Sequence, residues 1–522
     1  KFIKNSKKIM RIGIDVGGTN TDSVLINNNK IESSFKTNTS ENISNSVKLS
    51  ISEVIQNQPK EKINSIIIGT THLINDLLER KNLSKTGVIR LCGPATRLLK
   101  PLCDWPSDIK KSNNFITDFT DGGLEFDGRE ISAVNKSEIQ KLCEIYKKEQ
   151  VESIAITGVF ASVNPYQELE VKNIILNEMG KIPVSMSHQI GRIGLLEREN
   201  ATILNAMLSK SAKKTFANLT KIITELNLKS KIYITQNDGT MASINDALNY
   251  PIFSLSSGPT NSMRGAAFLS GIKDGIVIDI GGTSTDIGML INSFPKESSI
   301  AVEFSGIRTN FRMADVLSIP LGGGSIINQK TPYVSNQSLG NRITTNSLSF
   351  NGSTTTITDI FTNQNKANFI APNQNFKLSS NLIKSVENEI YSKISIAIDR
   401  MKTDSKNIKA IVVGGGSFII PKKLEGVNLI KFPEFGEVAN AIGSSMAQIS
   451  GYSEKVFSTT DLSRDEIIEI SKNEAIENAV KKGAEKKSVE IIDLEEIPLS
   501  YLPSNAVTIK TRAIGNIKNE FN

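Results

Sequence analysis

The chain has 522 residues, of which 39% are hydrophobic and 22% charged, and it contains 36 glycines. This balance is typical of globular proteins, and the length predicts two or three domains. The formal net charge of +7 is dispersed, without an arginine-rich cluster interleaved with aromatic residues, so we expect no nucleic-acid partner. We expect no membrane partner either, because no uninterrupted apolar run reaches about 18 residues.

Few cysteines and histidines limit the metal and redox chemistry open to the chain. Its three cysteines, Cys92, Cys103 and Cys143, lack metal-ligand spacing, and only two histidines accompany them. A zinc site built from these residue types is therefore not expected. An odd, sparse set of cysteines favours reduced thiols and a cytoplasmic location.

The first predicted element is a β-hairpin, which residues 12–26 form with the sequence IGIDVGGTNTDSVLI. Apolar and β-branched residues on both sides of Gly17 and Gly18 indicate two strands joined by a tight turn. Glycines leave backbone N–H groups uncovered, so anionic oxygens can approach closely, and Thr19 adds a hydroxyl donor. Asp15 ends the first strand, where a carboxylate can hold Mg²⁺ through water. The hairpin is therefore a candidate site for phosphate and metal.

A helix and a strand follow the hairpin and lead to a second donor-rich turn. Apolar residues at helical spacing predict a helix within residues 40–58, and residues 63–68 form a short apolar strand. Gly69–Thr71 close this strand and place backbone and hydroxyl donors at the start of a helix. His72 in that helix could position a substrate carbonyl or act as an acid or base, or it could be a hydrogen-bonded capping residue.

Alternating helices and strands continue through the middle of the chain. Residues 137–149 have a helical period and residues 151–160 form a buried strand, an order that predicts an α/β layered domain. Residues 188–208 carry many ionisable side chains at the opening of a helix that we expect to run to about Glu225. These side chains indicate either a site or the solvated start of a linking helix, and the charge pattern leaves both open.

The hairpin sequence recurs at residues 276–290, which read IVIDIGGTSTDIGML. Aligned without a gap, 8 of the 15 positions are identical to those of residues 12–26. The identical positions include the strand-end aspartate, here Asp279, both glycines of the turn and the threonine after them. One copy could be an ordinary β-hairpin, but a second copy in register indicates a repeated functional unit. Two such hairpins facing each other would hold a polyphosphate and its metal ion between them.

A third glycine-rich turn follows the apolar strand at residues 409–413. Gly414, Gly415 and Gly416 leave bare backbone against which a planar base or a ribose could lie. Residues 438–450 then predict a helix with small residues that allow close packing, and the tail holds one amphipathic helix and two short strands. No Walker-type, Rossmann or HExxH motif is present, so phosphate binding would depend on the paired hairpins.

The order of these elements resembles the actin/Hsp70/sugar-kinase superfamily and, more specifically, the A-type, ATP-using subunits of the hydantoinase/oxoprolinase family. The segments that carry the resemblance are Gly13–Asp22, Gly69–Arg80, Gly191–Asn205, Gln236–Thr240, Ser257–Gly265 and Asp279–Asp286. It implies an α/β, two-domain actin-like ATPase, built from duplicated ribonuclease H-like domains with phosphate-binding β-hairpins and a small α/β C-terminal appendage. The implied boundaries are an N-terminal domain at residues 10–190, a second domain at residues 191–455 and the appendage at residues 456–522.

The resemblance also implies roles for single residues. The two turns would cradle the phosphates of ATP through Gly17, Gly18, Thr19, Asn20, Gly281, Gly282, Thr283 and Ser284. The later turn would contact adenosine through Gly414, Gly415 and Gly416. The metal ligands for Mg²⁺ would be Asp15 and Asp279, which are also candidate catalytic groups. His72 is a further catalytic candidate from its position at the start of a helix, although the resembled family usually has small or apolar residues at this place.

As a function, the resemblance implies an ATP-dependent enzyme that phosphorylates the carbonyl of a cyclic amide, such as a hydantoin or 5-oxoproline, or of a ketone. Hydrolysis or carboxylation would then be completed with a B-type partner subunit. Two alternatives stay open, a stand-alone small-molecule kinase and an ATP-driven activator of a partner enzyme. The sequence also leaves open which substrate is used and whether the chain forms a homo-oligomer.

Overall fold

The structure is a computed structural model that describes residues 10–40, 43–56, 58–112, 115–298, 301–367, 369–460, 462–499 and 506–518. In chain order its strands are β1 (Met10–Val16), β2 (Asn20–Asn27), β3 (Lys30–Asn38), β4 (Ile63–Thr70), β5 (Thr86–Leu91), β6 (Ile116–Thr120), β7 (Ser153–Gly158), β8 (Val184–Met186), β9 (Lys231–Thr235), β10 (Met241–Ser243), β11 (Gly275–Ile280), β12 (Thr285–Ile291), β13 (Phe294–Pro295), β14 (Val302–Phe304), β15 (Ile307–Thr309), β16 (Val316–Ile319), β17 (Ser325–Asn328), β18 (Tyr333–Ser338), β19 (Ile408–Val413), β20 (Val427–Lys431), β21 (Ile449–Ser458), β22 (Glu490–Pro498) and β23 (Ala506–Gly515).

The α-helices of the described residues cover the faces of these sheets. In chain order they are α1 (Ile43–Val54), α2 (His72–Leu78), α3 (Ser107–Ser112), α4 (Lys136–Lys148), α5 (Tyr166–Met179), α6 (Leu195–Met207), α7 (Ser209–Glu225), α8 (Ile244–Asn249), α9 (Ser257–Ser270), α10 (Ile343–Asn346), α11 (Ile357–Asn363), α12 (Ser380–Met401), α13 (Ala439–Met446) and α14 (Arg464–Lys481). No helix in the described part of the chain has both the length and the apolar content needed to cross a bilayer.

The first hairpin lies within a nine-stranded sheet of order β22-β23-β21-β10-β9-β4-β1-β2-β3. Strand β1 pairs antiparallel with β2, its hairpin partner, and parallel with β4. Ile12 and Ile14 of β1 are fully buried in a core that includes residues of α1, α6 and α7. Six of the seven residues of β1 are buried, so it is a central strand that is covered on both faces.

The second hairpin lies at the corresponding place in a six-stranded sheet. This sheet has the order β13-β12-β11-β19-β20, and β16 also pairs with β12. Strand β11 pairs antiparallel with β12 and parallel with β19, which repeats the pairing of β1 with β2 and β4. Its core is separate and includes Ile276, Ile278 and one face of α12. The expected duplicated, actin-like α/β architecture is therefore confirmed.

A small parallel sheet of order β6-β5-β7-β8 interrupts the first half of the chain. It has its own core with α4 and α5, and it is linked to α6 by a buried ion pair. Arg90 on β5 donates from Nε to Oε1 of Glu199 on α6 at 2.8 Å, and both side chains are fully buried. The opening of α6 is thus a buried polar network rather than the solvated helix start that the charge pattern left open.

The C-terminal strands continue the first sheet. Strand β21 pairs with β10 and β23, and β22 completes this end of the sheet by pairing with β23. Both β22 and β23 are longer than the two short strands expected, with 9 and 10 residues. The sheet therefore crosses the expected boundary at residue 455. The expected single long helix also divides into two, because α6 ends at Met207 and α7 begins at Ser209.

Helices α9 and α13 cross with their backbones in contact. This agrees with the close packing that the small side chains within residues 438–450 predict. A Cβ atom added at Gly443 would lie 1.8 Å from the carbonyl oxygen of Asn261, so only glycine fits there. This close crossing brings Asn261 of α9 and Asn440 of α13 to the end of β1.

Candidate functional site

A cleft of about 630 Å³ lies between the two hairpins. The first turn contributes Gly17–Asn20 to its lining, and the second turn contributes Gly281 and Gly282. The glycine turn at residues 414–416 and the segment at residues 436–440 form further walls. The structure thus brings three separately predicted glycine-rich turns to one cleft.

The two hairpin turns have the same backbone geometry. In the first turn the Gly17 N–H donates to the carbonyl of Asn20 at 2.9 Å, and in the second the Gly281 N–H donates to the carbonyl of Ser284 at 2.9 Å. A Cβ atom added at the middle glycine of either turn would meet no atom within 4 Å. Each turn therefore presents open backbone to the cleft, and backbone N–H groups of this kind favour anionic ligands.

A pair of aspartates lies behind each turn. Asp15 is the register partner of Asp22 between β1 and β2, and Asp279 is the register partner of Asp286 between β11 and β12. All four carboxyl groups have raised pKa values, with burial as the largest cause, and the pKa of Asp15 and of Asp286 rises to about 6. Buried carboxylates that lack compensating charge are poised to receive a cation.

Asp15 is held by two amide side chains. Asn261 Nδ2 donates to its Oδ1 at 3.2 Å, and Asn440 Nδ2 donates to its Oδ2 at 3.0 Å. Asn440 Nδ2 also lies 3.1 Å from Oδ2 of Asp22, so one amide spans both carboxylates of the first hairpin. Because both oxygens of Asp15 accept hydrogen bonds, its orientation towards the cleft is fixed.

Lys36 brings a positive charge to this acidic cleft. Its Nζ lies 3.0 Å from Oδ1 of Asp22 and donates to the carbonyl of Glu437 at 3.0 Å. Lys36 therefore joins β3 to the opposite wall of the cleft. On the other side, the Ser262 hydroxyl bonds to the carboxyl of Asp279 and opposes the rise in its pKa that burial causes.

The far end of the cleft is aromatic. Phe350, Phe369 and Phe418 line it beside the glycine turn at residues 414–416. The Phe350 and Phe369 rings are stacked with centroids 6.0 Å apart, and the Phe369 and Phe418 rings meet edge to face at 6.2 Å. Aromatic faces beside bare backbone form a surface suited to a planar base.

Four predicted residues do not line the cleft. Asp15 lies behind the lining, where Asn440 of the cleft wall donates to its carboxyl group at 3.0 Å. Thr283 and Ser284 lie in the second turn but outside the lining. His72 lies at the start of α2, where its Nε2 is 3.8 Å from Oδ2 of Asp76. The turn before it is nevertheless tied to the first hairpin, because the backbone N–H and the hydroxyl of Thr71 both donate to the carbonyl of Val16 at 3.1 Å.

Several lining residues were missed by sequence reasoning. Ser262 lies in a segment that the family resemblance had marked, and Asn440 lies in the predicted small-residue helix. Ser262 and Asn440 are polar residues on helices that otherwise carry small residues, and this polarity was the signal that could have identified them as lining residues. Lys36 and the three phenylalanines had none, since they come from an alternating edge strand and from loops far apart in sequence.

The described residues contain no group of three or more histidine, cysteine, aspartate or glutamate side chains that could hold a metal ion by themselves. Mg²⁺ is usually bound by one or two carboxylates together with phosphate oxygens and water. Asp15 and Asp279, one from each hairpin, have the number and charge that such a shared site requires.

The sequence matches the hydantoinase/oxoprolinase N-terminal region over residues 11–179 and the hydantoinase/oxoprolinase family over residues 198–377. Together these matches cover about two thirds of the chain. The chain belongs to the hydantoinase/oxoprolinase family. The first hairpin lies in the first matched region and the second hairpin in the second, whereas Gly414–Gly416 follow both.

Two curated relatives align with part of the chain. An uncharacterized protein of Methanocaldococcus jannaschii is 26% identical over 343 residues, which cover 60% of this chain and 50% of that protein. The caprolactamase subunit alpha of Pseudomonas jessenii is 25% identical over 345 residues, which cover 62% of this chain and 49% of that protein. The chain thus spans about half the length of the curated relatives it matches.

A solved structure extends the similarity to nearly the whole fold of this family member. The crystal structure of ATP-dependent caprolactamase from Pseudomonas jessenii matches with a TM-score of 0.75 at 17% identity. The match covers 98% of this chain and 88% of that chain. The two chains therefore share a fold over nearly the whole length of this chain.

Proposed function

We propose that this chain is the ATP-binding subunit of an enzyme that activates a cyclic amide, or a ketone, by phosphorylating its carbonyl oxygen. The observation that carries the proposal is the cleft between two matching hairpins, each with an open glycine turn and a buried aspartate, Asp15 or Asp279. This arrangement suits a polyphosphate chain approached from both sides. A partner subunit would complete the reaction.

The cleft offers separate places for the parts of ATP. Backbone N–H groups of Gly17–Asn20 and of Gly281–Ser284 would donate to the phosphates, since open turns concentrate such donors. The adenine ring would lie among Phe350, Phe369 and Phe418 against Gly414–Gly416. These contacts would orient the terminal phosphate towards the Asp15 side of the cleft.

The proposed metal ion is Mg²⁺, held by Asp15 and Asp279. Both carboxylates are buried, and burial raises the pKa of each, which indicates negative charge that the protein alone does not compensate. When bound, the ion would neutralise charge on the phosphate oxygens. Asn261 and Asn440 would keep the Asp15 carboxylate in a fixed orientation towards it.

In the proposed step, the carbonyl oxygen of the substrate forms a bond to the terminal phosphorus while the bond from that phosphorus to the ADP oxygen breaks. Catalysis then depends mainly on positioning and on electrostatic stabilisation of the phosphoryl group. His72 stays a proposed positioning group for the carbonyl, because Thr71 fixes its turn to the first hairpin beside Asp15.

The substrate class and the partner are supported by the relatives. The caprolactamase relative is named for caprolactam, which is a cyclic amide. Its name also describes it as a subunit. The crystal structure with the same fold is of an ATP-dependent enzyme. Because that relative is named as a subunit, a separate partner polypeptide is proposed to complete the reaction.

The proposal is tested by measuring ATP hydrolysis by the purified chain with Mg²⁺ against 5-oxoproline, hydantoin, caprolactam and simple ketones. We expect one compound to stimulate hydrolysis, with Asp279→Ala as the inactive control. A stable phosphorylated product would favour the stand-alone kinase, and stimulation by a protein alone would favour an activator. Absence of ATP binding would contradict the assignment of the hairpin cleft.

A further inference from the structure

A second cleft, of about 410 Å³, lies apart from the hairpin cleft, and none of the residues that line one lines the other. Its walls come from the loop after β7, residues 188–193, Phe253, Arg312, β21 and the C-terminal end of α14. The proposed phosphoryl transfer uses none of these residues. The cleft therefore calls for a separate explanation.

One wall of this second cleft holds a histidine paired with a buried carboxylate. Oε2 of Glu168 lies 2.5 Å from Nδ1 of His188 and accepts from its backbone N–H at 3.1 Å. Oε1 of Glu168 accepts from the Ser187 hydroxyl at 2.5 Å and from the Gly158 N–H at 2.8 Å. With Nδ1 engaged, the ring has only Nε2 left for a ligand, and Nε2 has no partner among the described residues.

A second wall holds a guanidinium group that aromatic rings orient and that makes no side-chain hydrogen bond in the described part of the chain. The Arg312 guanidinium carbon lies 5.1 Å from the ring centroid of Phe253 and 4.3 Å from that of Tyr452. Within the described residues its ion pair is with Asp238, at 4.0 Å, and its side chain makes no hydrogen bond. Two aromatic faces thus hold the plane of Arg312 while its donors remain unused.

Lys482 adds a second cation that is not paired. It follows the last residue of α14, lines the cleft, and makes no ion pair or side-chain hydrogen bond in the described part of the chain. Other charged groups of the cleft are neutralised, since Arg192 pairs with Glu297 at 2.7 Å and Lys455 with Glu474 at 2.8 Å. Among the described residues, the charged side chains of this cleft that make neither a hydrogen bond nor a close ion pair are therefore the two cations Arg312 and Lys482.

We propose that this cleft binds a small organic carboxylate. Arg312 and Lys482 would hold its charge, because a planar guanidinium matches a carboxylate and a flexible ammonium can reach either oxygen. Nε2–H of His188, with the ring charged in its ion pair with Glu168, would donate to the same carboxylate. The apolar side chains of Val163, Ile190 and Ile193 in the lining suit an organic tail rather than a bare inorganic anion. This inference is independent of the proposed function.

Titration calorimetry without nucleotide tests the inference, with hexanoate as the probe and hexanamide as its uncharged counterpart. We expect saturable binding of hexanoate and none of hexanamide. Lys482→Ala should weaken hexanoate binding by roughly tenfold, the effect of losing a hydrogen-bonded charge. Lys481→Ala is the matched control, because this neighbouring residue lies outside the cleft and pairs with Glu477.

A second substitution tests the role of the histidine. His188→Asn keeps an N–H that can face Glu168 but removes the Nε2 position, so hexanoate binding should fall by roughly fivefold. ATP binding, measured in parallel, should be the same in every variant. Equal binding of hexanamide, no binding of hexanoate, or equal affinity in Lys482→Ala and Lys481→Ala would each overturn the proposal. If His188→Asn does not fold, the lysine pair decides, since exposed Lys482 has no side-chain partner to lose.

Discussion

A Cβ atom added at Gly414 would lie 2.4 Å from Oδ1 of Asp279, so the third glycine turn and the second hairpin meet at one point. The first half of the chain repeats this contact, because a Cβ atom at Gly69 would lie 2.6 Å from Oδ1 of Asp15. Gly69 is the register partner of Asp15, and Gly414 directly follows Val413, the register partner of Asp279. Each buried carboxylate therefore packs against backbone without a side chain at the end of the neighbouring parallel strand.

Gly414→Ala should weaken ATP binding by roughly tenfold or more, because a new Cβ atom must displace the Asp279 carboxylate or the Ile280 carbonyl. Its φ of 87° adds strain for alanine. Calorimetric titration with ATP measures the effect, and a thermal melt checks the fold. Gly258→Ala is the control, since a Cβ atom there meets nothing within 4 Å. Unchanged ATP binding by folded Gly414→Ala protein would contradict the assigned contact.

Asp279→Asn should abolish Mg²⁺-dependent ATP hydrolysis, with a loss of roughly a hundredfold or more, while leaving the fold intact. Burial raises the pKa of Asp279, so the folded chain disfavours its charge, and an uncharged isostere should not destabilise the protein. Steady-state hydrolysis across a Mg²⁺ series, together with a thermal melt, measures both effects. Retained turnover in the folded variant would show that Asp279 is not a metal ligand.

The paired hairpins could be predicted from sequence because their signal is local. A strand that ends in aspartate, followed by two glycines and a threonine, specifies its turn within a few residues, and the second copy lies in the same register. The glycine turn after β19 and the small residues of α13 are likewise local features. The glycine turn lines the same cleft as the two hairpins, and the small residues of α13 allow the close helix packing that they predict.

The rest of the cleft could not be predicted because it depends on long-range contacts. Asn440 reaches Asp15 across 425 residues of sequence, and Lys36 reaches the Glu437 carbonyl across 401 residues. The aromatic end combines Phe350, Phe369 and Phe418, which share no periodic pattern. Strand β23 joins the first sheet by pairing with β21, and β22 pairs with β23, an arrangement that strand propensity alone does not specify.

Charge patterning also failed to separate buried ionisable groups from solvated ones. The opening of α6 looked equally compatible with a solvated helix, yet Arg198 and Glu199 are buried. A sequence shows that charges are close along the chain, but not that Arg90 from another sheet compensates one of them. Burial of an ion pair is thus decided by tertiary packing rather than by helix periodicity.

Phe369→Ala should weaken ATP binding by roughly tenfold, because Phe369 touches both other rings of the aromatic end. Ile370→Ala is the matched control, since the neighbouring side chain is 89% exposed and does not line the cleft. Calorimetric titration with ATP and with inorganic tripolyphosphate separates the two ends of the cleft. ATP binding should fall while tripolyphosphate binding stays unchanged, and a fall in both would contradict a role for Phe369 at the base.

Asp286→Asn should stabilise the metal-free chain at neutral pH. Burial, the largest cause, raises the pKa of Asp286 to about 6 from 3.8. The folded state therefore binds more protons than the unfolded state between these values, so the free energy of unfolding falls as pH rises through this window and is level above it. Asparagine removes this loss and can still bond with Ser318, which hydrogen-bonds to the Asp286 carboxyl.

The expected gain in the free energy of unfolding is about 3 kcal/mol at pH 7.5, because the pKa of Asp286 is raised by about two units and each unit corresponds to about 1.4 kcal/mol. At pH 4 the expected gain is less than about 1 kcal/mol. Urea unfolding with EDTA at the two pH values measures it. Asp465→Asn on α14 is the control, since this aspartate is exposed in the first turn of a helix, where its charge is favourable, and the same exchange should give no gain in stability at pH 7.5. A gain in the free energy of unfolding that does not depend on pH would contradict this prediction. It would show that the Asp286 carboxyl is ionised without penalty in the folded chain. The second hairpin would then tolerate two adjacent negative charges without a bound cation.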